Sequence, residues 1–276
     1  MTSLQWLETP ILRDPVALIA FEGWGDAGES ASQAAESFLS RLDSELIAII
    51  DPDEHFDFQV RRPMVGVDSS GVRSISWPRN EIHLVRGAEH DLILILGEEP
   101  HYRWKVFTNE LVGALQSLGI SRAITMGAFV GQVAHTLPVP LVGSATRPDS
   151  LGLHGLHPSG YEGPTGIVGV LNHAFGNAGI DVISLWAAVP HYLSNQEYPP
   201  ATEALVVKAA ELIGISVDIS ELTLATRHFL STVNEAIEGN DALQAYVEQL
   251  EEDADADVER SDHLVSEIEN FLRDQP

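Results

Sequence analysis

Two glycine-spaced turns hold the residues best suited to chemistry. The first is FEGWGDAG at residues 21–28, where Gly23, Gly25 and Gly28 recur as G-x-G-x-x-G after an apolar run, with Trp24 and Asp26 between them. Glycines that open a helix can bring backbone N–H groups up to a phosphate. A dinucleotide fingerprint also needs an acid just after the second strand. Here Glu45 precedes that strand, Leu46–Ile50, while Asp51 and Asp53 come late. The plainer reading is a turn in which Asp26 is the N-cap and Glu29, three residues on, completes a capping box. The second turn is HPSGYEGPTG, with Gly160, Gly163 and Gly166. In it Glu162 could act as an acid or base, and Thr165 with the Gly163–Gly166 backbone could cradle an anion. His135 or His191 could then shuttle a proton. The pair Glu98-Glu99 either faces a ligand or sits at a helix N-terminus, where carboxylates are favoured. Gly127 opens a small-residue loop, 127–131.

These residues fall where strands end and helices begin. Val16–Phe21 and Asp91–Gly97 are apolar runs of strand length, and Val182–Val189 reads as a strand buried on both faces. Arg122–Met126 and Val139–Ala145 are further strands. Val72–Trp77 and Ile82–Val85 read as two strands joined by Pro78-Arg79-Asn80, an antiparallel excursion. Helical spacing runs through Ala31, Ala34, Ala35, Phe38 and Leu42, and another helix follows Trp104 to Leu118. A third runs through Ile167, Val170, Leu171 and Ala174, with Pro164 in its first turn and Gly176 or Gly179 ending it. Thr202–Ile213 is a fourth. Loops from several strands would thus line one edge of an α/β sheet, the usual place for a ligand.

The chain has 276 residues, no cysteine and a formal charge of −26. Disulfides and thiolate chemistry are excluded. Such a charge argues against nucleic acid and anionic membranes, which need clustered Lys and Arg. The one adjacent basic pair, Arg61-Arg62, could bind an anion or pair with carboxylates. The histidines show no H-E-x-x-H or similar spacing, so no metal and no cofactor is expected. No signal peptide and no spanning helix is visible, and a cytoplasmic protein is expected. Residues 218–276 hold 16 acidic and 3 basic side chains, a net of −13. The chain therefore divides into a core, residues 1–215, and a small acidic helical domain, 216–276. Three helices are expected there: Ser220–Ile237, Asp241–Glu252 and Leu264–Leu272.

Six segments occur in order: FEGWGDAG (21–28), DPDEHFDFQVRRP (51–63), GEEPHYRW (97–104), GAFVGQVAHTLPVPLVG (127–143), YEGPTGIVGVL (161–171) and SLWAAVPHY (184–192). Together they resemble the proteasome assembly chaperone 2 family, in its longer actinobacterial branch with an added helical C-terminal segment. The resemblance implies a three-layer α/β/α core similar to the nucleoside phosphorylases, with an all-helical C-terminal domain. It implies a non-catalytic protein that binds an unknown protein partner as a homo-oligomer, with a trimer favoured by the phosphorylase likeness. Eukaryotic members are implied to help assemble proteasome α-rings. Some members carry ligase labels, but no P-loop G-x-x-x-x-G-K-[ST] is present here. The alternative is a phosphorylase- or hydrolase-like enzyme acting on a small, nucleoside-like molecule. Its ligand-binding residues would be Gly23, Trp24, Asp26, Glu98, Glu99, Gly127, Glu162, Gly163, Thr165 and Gly166.

Overall fold

In strand β2 (Val16–Glu22) every residue but the last is buried, and alternate side chains enter different cores. Val16, Leu18 and Ala20 face one helical layer, while Ala17, Ile19 and Phe21 face the other. A strand in that position must be apolar on both faces. The computed structural model describes residues 2–254 and 256. Around β2 the elements are, in chain order, β1 (Leu4–Trp6), α1 (Ser30–Arg41), β3 (Ser44–Ile50), β4 (Met64–Val67), β5 (Arg73–Ser76), β6 (Asn80–Val85) and β7 (Leu92–Glu98). There follow α2 (Trp104–Ser117), β8 (Arg122–Gly131), β9 (Leu141–Ala145), α3 (Asp149–Leu153), β10 (His157–Pro158), α4 (Ile167–Asn177), β11 (Asp181–Pro190), α5 (Pro199–Ile213) and α6 (Ser220–Glu238). Residues 241–254 are also helical.

Nine strands form one sheet in the order β1-β3-β6-β7-β2-β8-β11-β9-β10. The middle four, β7-β2-β8-β11, are parallel, so their C-terminal ends share one edge. The flanks β3-β6-β7 and β9-β11 are antiparallel. Helices α1 and α5 cover one face, with Phe38, Ala201 and Leu205 fully buried. Helices α2 and α4 cover the other through Phe107, Leu111, Leu171 and Phe175. The expected α/β/α sheet with C-terminal helices is what forms.

Several local expectations are corrected. Gly127–Gly131 is not a loop: β8 continues to Gly131, paired with β11 as far as Pro190. The strand at 72–77 does not turn back onto 82–85. It pairs instead with Met64–Val67 in a separate two-stranded ribbon, while β6 joins the main sheet. Helix α4 starts at Ile167, so Pro164 precedes its first turn, and Gly179 closes it at φ +80°. Asp26 does cap α1, but from a distance. Its Oδ1 accepts from Ala31 N (2.6 Å) and Ser32 N (3.2 Å), while Glu29 takes a left-handed conformation and completes no box. The expected helix at 264–272 lies outside the described residues.

Asp91 ties the far end of β2 and β7 together. Its carboxylate accepts from Arg13 N (2.9 Å), Gly87 N (3.3 Å) and the Arg86 guanidinium (3.1 Å). Burial alone would raise this carboxyl, but those bonds outweigh it and hold it below the ordinary range. A carboxyl whose folded pKa is depressed adds stability above its unfolded pKa and loses it as pH falls through the folded value. Asp91→Asn should therefore cost about 1–3 kcal/mol near pH 7. The gap to wild type should shrink in urea titrations below the ordinary carboxylate range; a gap that stays constant with pH would contradict this origin.

Candidate functional site

The C-terminal edge of the parallel strands gathers most of the sequence-identified residues. Gly23, at φ +128°, follows β2 and leaves room for Glu99, because a Cβ there would stand 2.9 Å from Glu99 Cβ. Glu99 N donates to Glu22 O (2.8 Å), which fixes the start of the loop after β7. The Glu99 side chain then reaches across the edge. Its Oε1 accepts from Ile167 N (2.7 Å), the first amide of α4, and its Oε2 from Trp24 N (3.4 Å). An anion thus already occupies the N-terminus of α4, supplied by the chain itself. Gly166 permits this approach, since a Cβ would lie 2.9 Å from Glu99 Oε1 and 3.3 Å from the Trp24 ring.

Trp186 fills the neighbouring space. Its indole lies over Gly127, the residue beside it on β8, and over Gly25. A Cβ at Gly127 would come within 2.6 Å of the ring, and one at Gly25 within 3.1 Å. Trp186 Nε1 donates to Ser184 Oγ (2.9 Å), whose hydroxyl meets Thr125 Oγ1 (2.9 Å). Gly28 likewise accommodates Tyr198, whose Cβ would stand 2.8 Å from a Cβ there. Each of these glycines is matched to one side chain. The cleft left among Phe21, Glu22, Gly25, Glu99, Gly166 and Trp186 offers about 10 Å³, the space of roughly one water. A larger cleft of about 130 Å³ lies away from this edge, between the end of β9 and the start of β11, beside Ser144, Thr146, Asn172 and Ser184.

Arg61 anchors the acidic end of this edge. It bonds Glu98 through Nε (2.7 Å) and Glu22 through Nη2 (3.1 Å). Burial and the neighbouring Glu98 push the Glu22 carboxyl up, with Arg61 opposing them. Burial also raises the Asp26 carboxyl, against the pull of its bonds from Ser32 and Ala31.

The remaining candidates do not join this cluster. Glu162, Gly163 and Thr165 are exposed in the segment before α4. His135 is buried, and both ring nitrogens are occupied: Tyr192 Oη donates to Nδ1 (2.8 Å) and Nε2 donates to Asn234 Oδ1 on α6 (2.9 Å). His191 is exposed and meets Tyr246 through Nε2 (3.2 Å). Both histidines thus tie strand ends to the C-terminal helices. Among the described residues no group of three His, Asp or Glu side chains is placed to hold a metal ion, and no helix is long and apolar enough to cross a membrane.

Sequence reasoning gave no role to Trp186 or Asn234. A tryptophan in a buried strand beside two glycine motifs was the available signal for the first; nothing local marks the second. Trp24, a candidate from the sequence, follows β2 and is 62% exposed. Sequence reasoning did not single out the other exposed apolar side chains along the edge: Tyr102 (51%) after β7, Phe129 and Val130 near the end of β8, and Tyr161 (63%) before α4.

The sequence model of the PAC2 family matches residues 20–237. A PAC2 family protein from Streptomyces avermitilis is 40% identical, with a TM-score of 0.78 over 85% of this chain and 100% of its own. A proteasome-assembly chaperone homologue from Mycobacterium tuberculosis is 34% identical, with a TM-score of 0.77 over 84% of this chain and 99% of its own. An archaeal proteasome activator from Pyrococcus furiosus, at 18% identity and a TM-score of 0.66 over 85% of this chain and 98% of its own, shares the fold. The search of curated proteins returned no match. With the match running from the end of β2 through α6, the chain belongs to the PAC2 family.

Proposed function

We propose that this chain is a non-catalytic, assembly-chaperone-like protein that binds a protein partner as a homo-oligomer, with three subunits as the working number. One observation carries the reading: the ionisable groups at the sheet edge are committed to holding the fold, while apolar groups around them stay exposed. Glu99 caps α4, Asp26 caps α1, Arg61 bridges Glu22 and Glu98, and His135 fastens α6. The cleft beside Glu22, Glu99 and Trp186 is about 10 Å³, whereas small-molecule sites commonly offer roughly 300–1,000 Å³. Exposed aromatic side chains on several loops of one edge suit a protein surface instead. The Mycobacterium relative, described as a proteasome-assembly chaperone homologue, supports the same direction. In this reading residues 1–215 carry the partner-binding edge, and 216–276 are a separate unit whose described helices pack beside it.

The competing reading is an enzyme in which Glu162 is the acid or base and Thr165 with Gly163–Gly166 holds an anion. Thermal unfolding against a panel of nucleosides, sugar phosphates and inorganic phosphate separates the two, because a ligand at a hundred times its Kd stabilises by about 2.7 kcal/mol. No member of the panel is expected to shift the transition. A shift that Glu162→Gln abolishes would overturn the non-catalytic reading.

A further inference from the structure

The β4–β5 ribbon is patterned to bury a face that this chain leaves in water. Its register pairs Val65 with Ile75 and Val67 with Arg73, which places Val65, Val67, Ile75 and Arg73 on one side. The alternate pairs, Met64 with Ser76 and Gly66 with Ser74, place small and polar groups mostly on the other. That alternation is the pattern of a half-buried strand pair. Yet every residue from 64 to 77 is exposed: Val65 and Ile75 at 58%, Val67 at 59%, Val72 at 61%. A two-stranded ribbon alone in water is marginal.

The ribbon is nevertheless well built. Asp68 Oδ1 accepts from Ser70 N (2.8 Å) and Val72 N (2.9 Å), which closes the turn. At its root Trp77 packs on Phe58, ring centroids 4.9 Å apart, and Arg61 fastens it to Glu22 and Glu98 at the sheet edge. It therefore projects as a defined arm rather than a slack loop.

Its charge points to the occupant. Residues 60–79 hold Arg61, Arg62, Arg73 and Arg79 against Asp68 alone, in a chain with 15 basic and 41 acidic residues. Arg61 and Arg79 are paired with carboxylates of their own chain. Among the described residues Arg62 and Arg73 have no such partner, and Arg73 stands on the apolar face itself. The ribbon is a positive, apolar arm on an otherwise strongly negative body, so a second copy supplies the complementary charge. An arm set on a different surface of its neighbour makes a head-to-tail contact, which gives a ring when the rotation between copies closes.

We propose that the β4–β5 ribbon is the arm by which one copy of this chain holds the next, with the Val65–Val67–Ile75 face against apolar groups and Arg73 against a carboxylate of the neighbour. This rests on the homo-oligomeric part of the reading above. Sedimentation velocity across a concentration series tests it on the full chain. Wild type should associate, and Val65→Asp/Ile75→Asp should weaken association at least 100-fold without changing circular dichroism, or the unfolding midpoint at concentrations too low for wild type to associate, since those side chains lie on the exposed ribbon. Arg73→Glu should weaken it roughly 10-fold, and added salt should weaken wild type in the same sense. Variants that associate like wild type would overturn the arm while leaving an oligomer built on another face. A monomeric wild type whose ribbon variant loses a co-purifying protein would also overturn it, because the arm would then serve a different partner and only the protein-binding reading would survive. A wild type that stays monomeric and captures nothing would overturn both.

Discussion

Gly127→Ala should destabilise the chain by about 3 kcal/mol, the upper range for an added methyl in a packed site. The new Cβ would lie 2.6 Å from Cε3 and Cζ3 of Trp186 and 2.8 Å from Cη2. Neither partner can easily yield. Gly127 is paired to β11 within β8, and the indole is held over Gly25 and bonded to Ser184. Shortening the ring should relieve the conflict, so Gly127→Ala/Trp186→Leu should be less destabilised than the two single changes summed. The expected coupling is about 1–3 kcal/mol for residues in direct contact. Urea unfolding of the four proteins checks this. Strict additivity would mean that Gly127 serves something other than room for the indole.

His135→Ala should cost about 2 kcal/mol, because it deletes a buried ring together with its hydrogen bonds to the half-buried Tyr192 and to Asn234. Tyr192 Oη would lose the Nδ1 acceptor it donates to, and Asn234 Oδ1 its donor. The second bond reaches α6, 99 residues away in the chain, so the loss should be felt there first. Amide exchange across α6 should accelerate more than exchange in β2 or β7, which the sheet protects from both sides. A His135→Ala protein with unchanged stability and unchanged α6 exchange would remove the clamp and reopen a chemical role for this histidine.

The layered sheet was legible because apolar runs such as VALIAF and LILIL have few other uses in a chain of this length. Burial on both faces forces that composition, and the period then separates two cores, as Leu18 and Ile19 show. What local pattern could not supply was pairing over distance. GAFVG reads as a loop by composition, and only its register with Trp186–Pro190 makes it a strand. MVGV was passed over because neither of its faces is buried within this chain. Glu99 was weighed between a ligand-facing acid and a helix N-terminus. The helix it caps, however, is α4, 68 residues further on, rather than the one it precedes. The glycines of FEGWGDAG were legible as a close-approach motif, but the approaching groups are Glu99, Trp186 and Tyr198 of the same chain.

The most direct measurement is native mass spectrometry of the tagged chain captured from its own host, beside Trp24→Ser/Tyr161→Ser. Both substituted residues are largely exposed at the sheet edge, so the variant should keep its fold and midpoint. The expected spectrum shows a homo-oligomer carrying a stoichiometric protein partner that the double variant lacks. A retained small molecule with no protein partner, unaffected by the surface changes, would contradict the binding role and place chemistry at an edge that this account assigns to holding a protein.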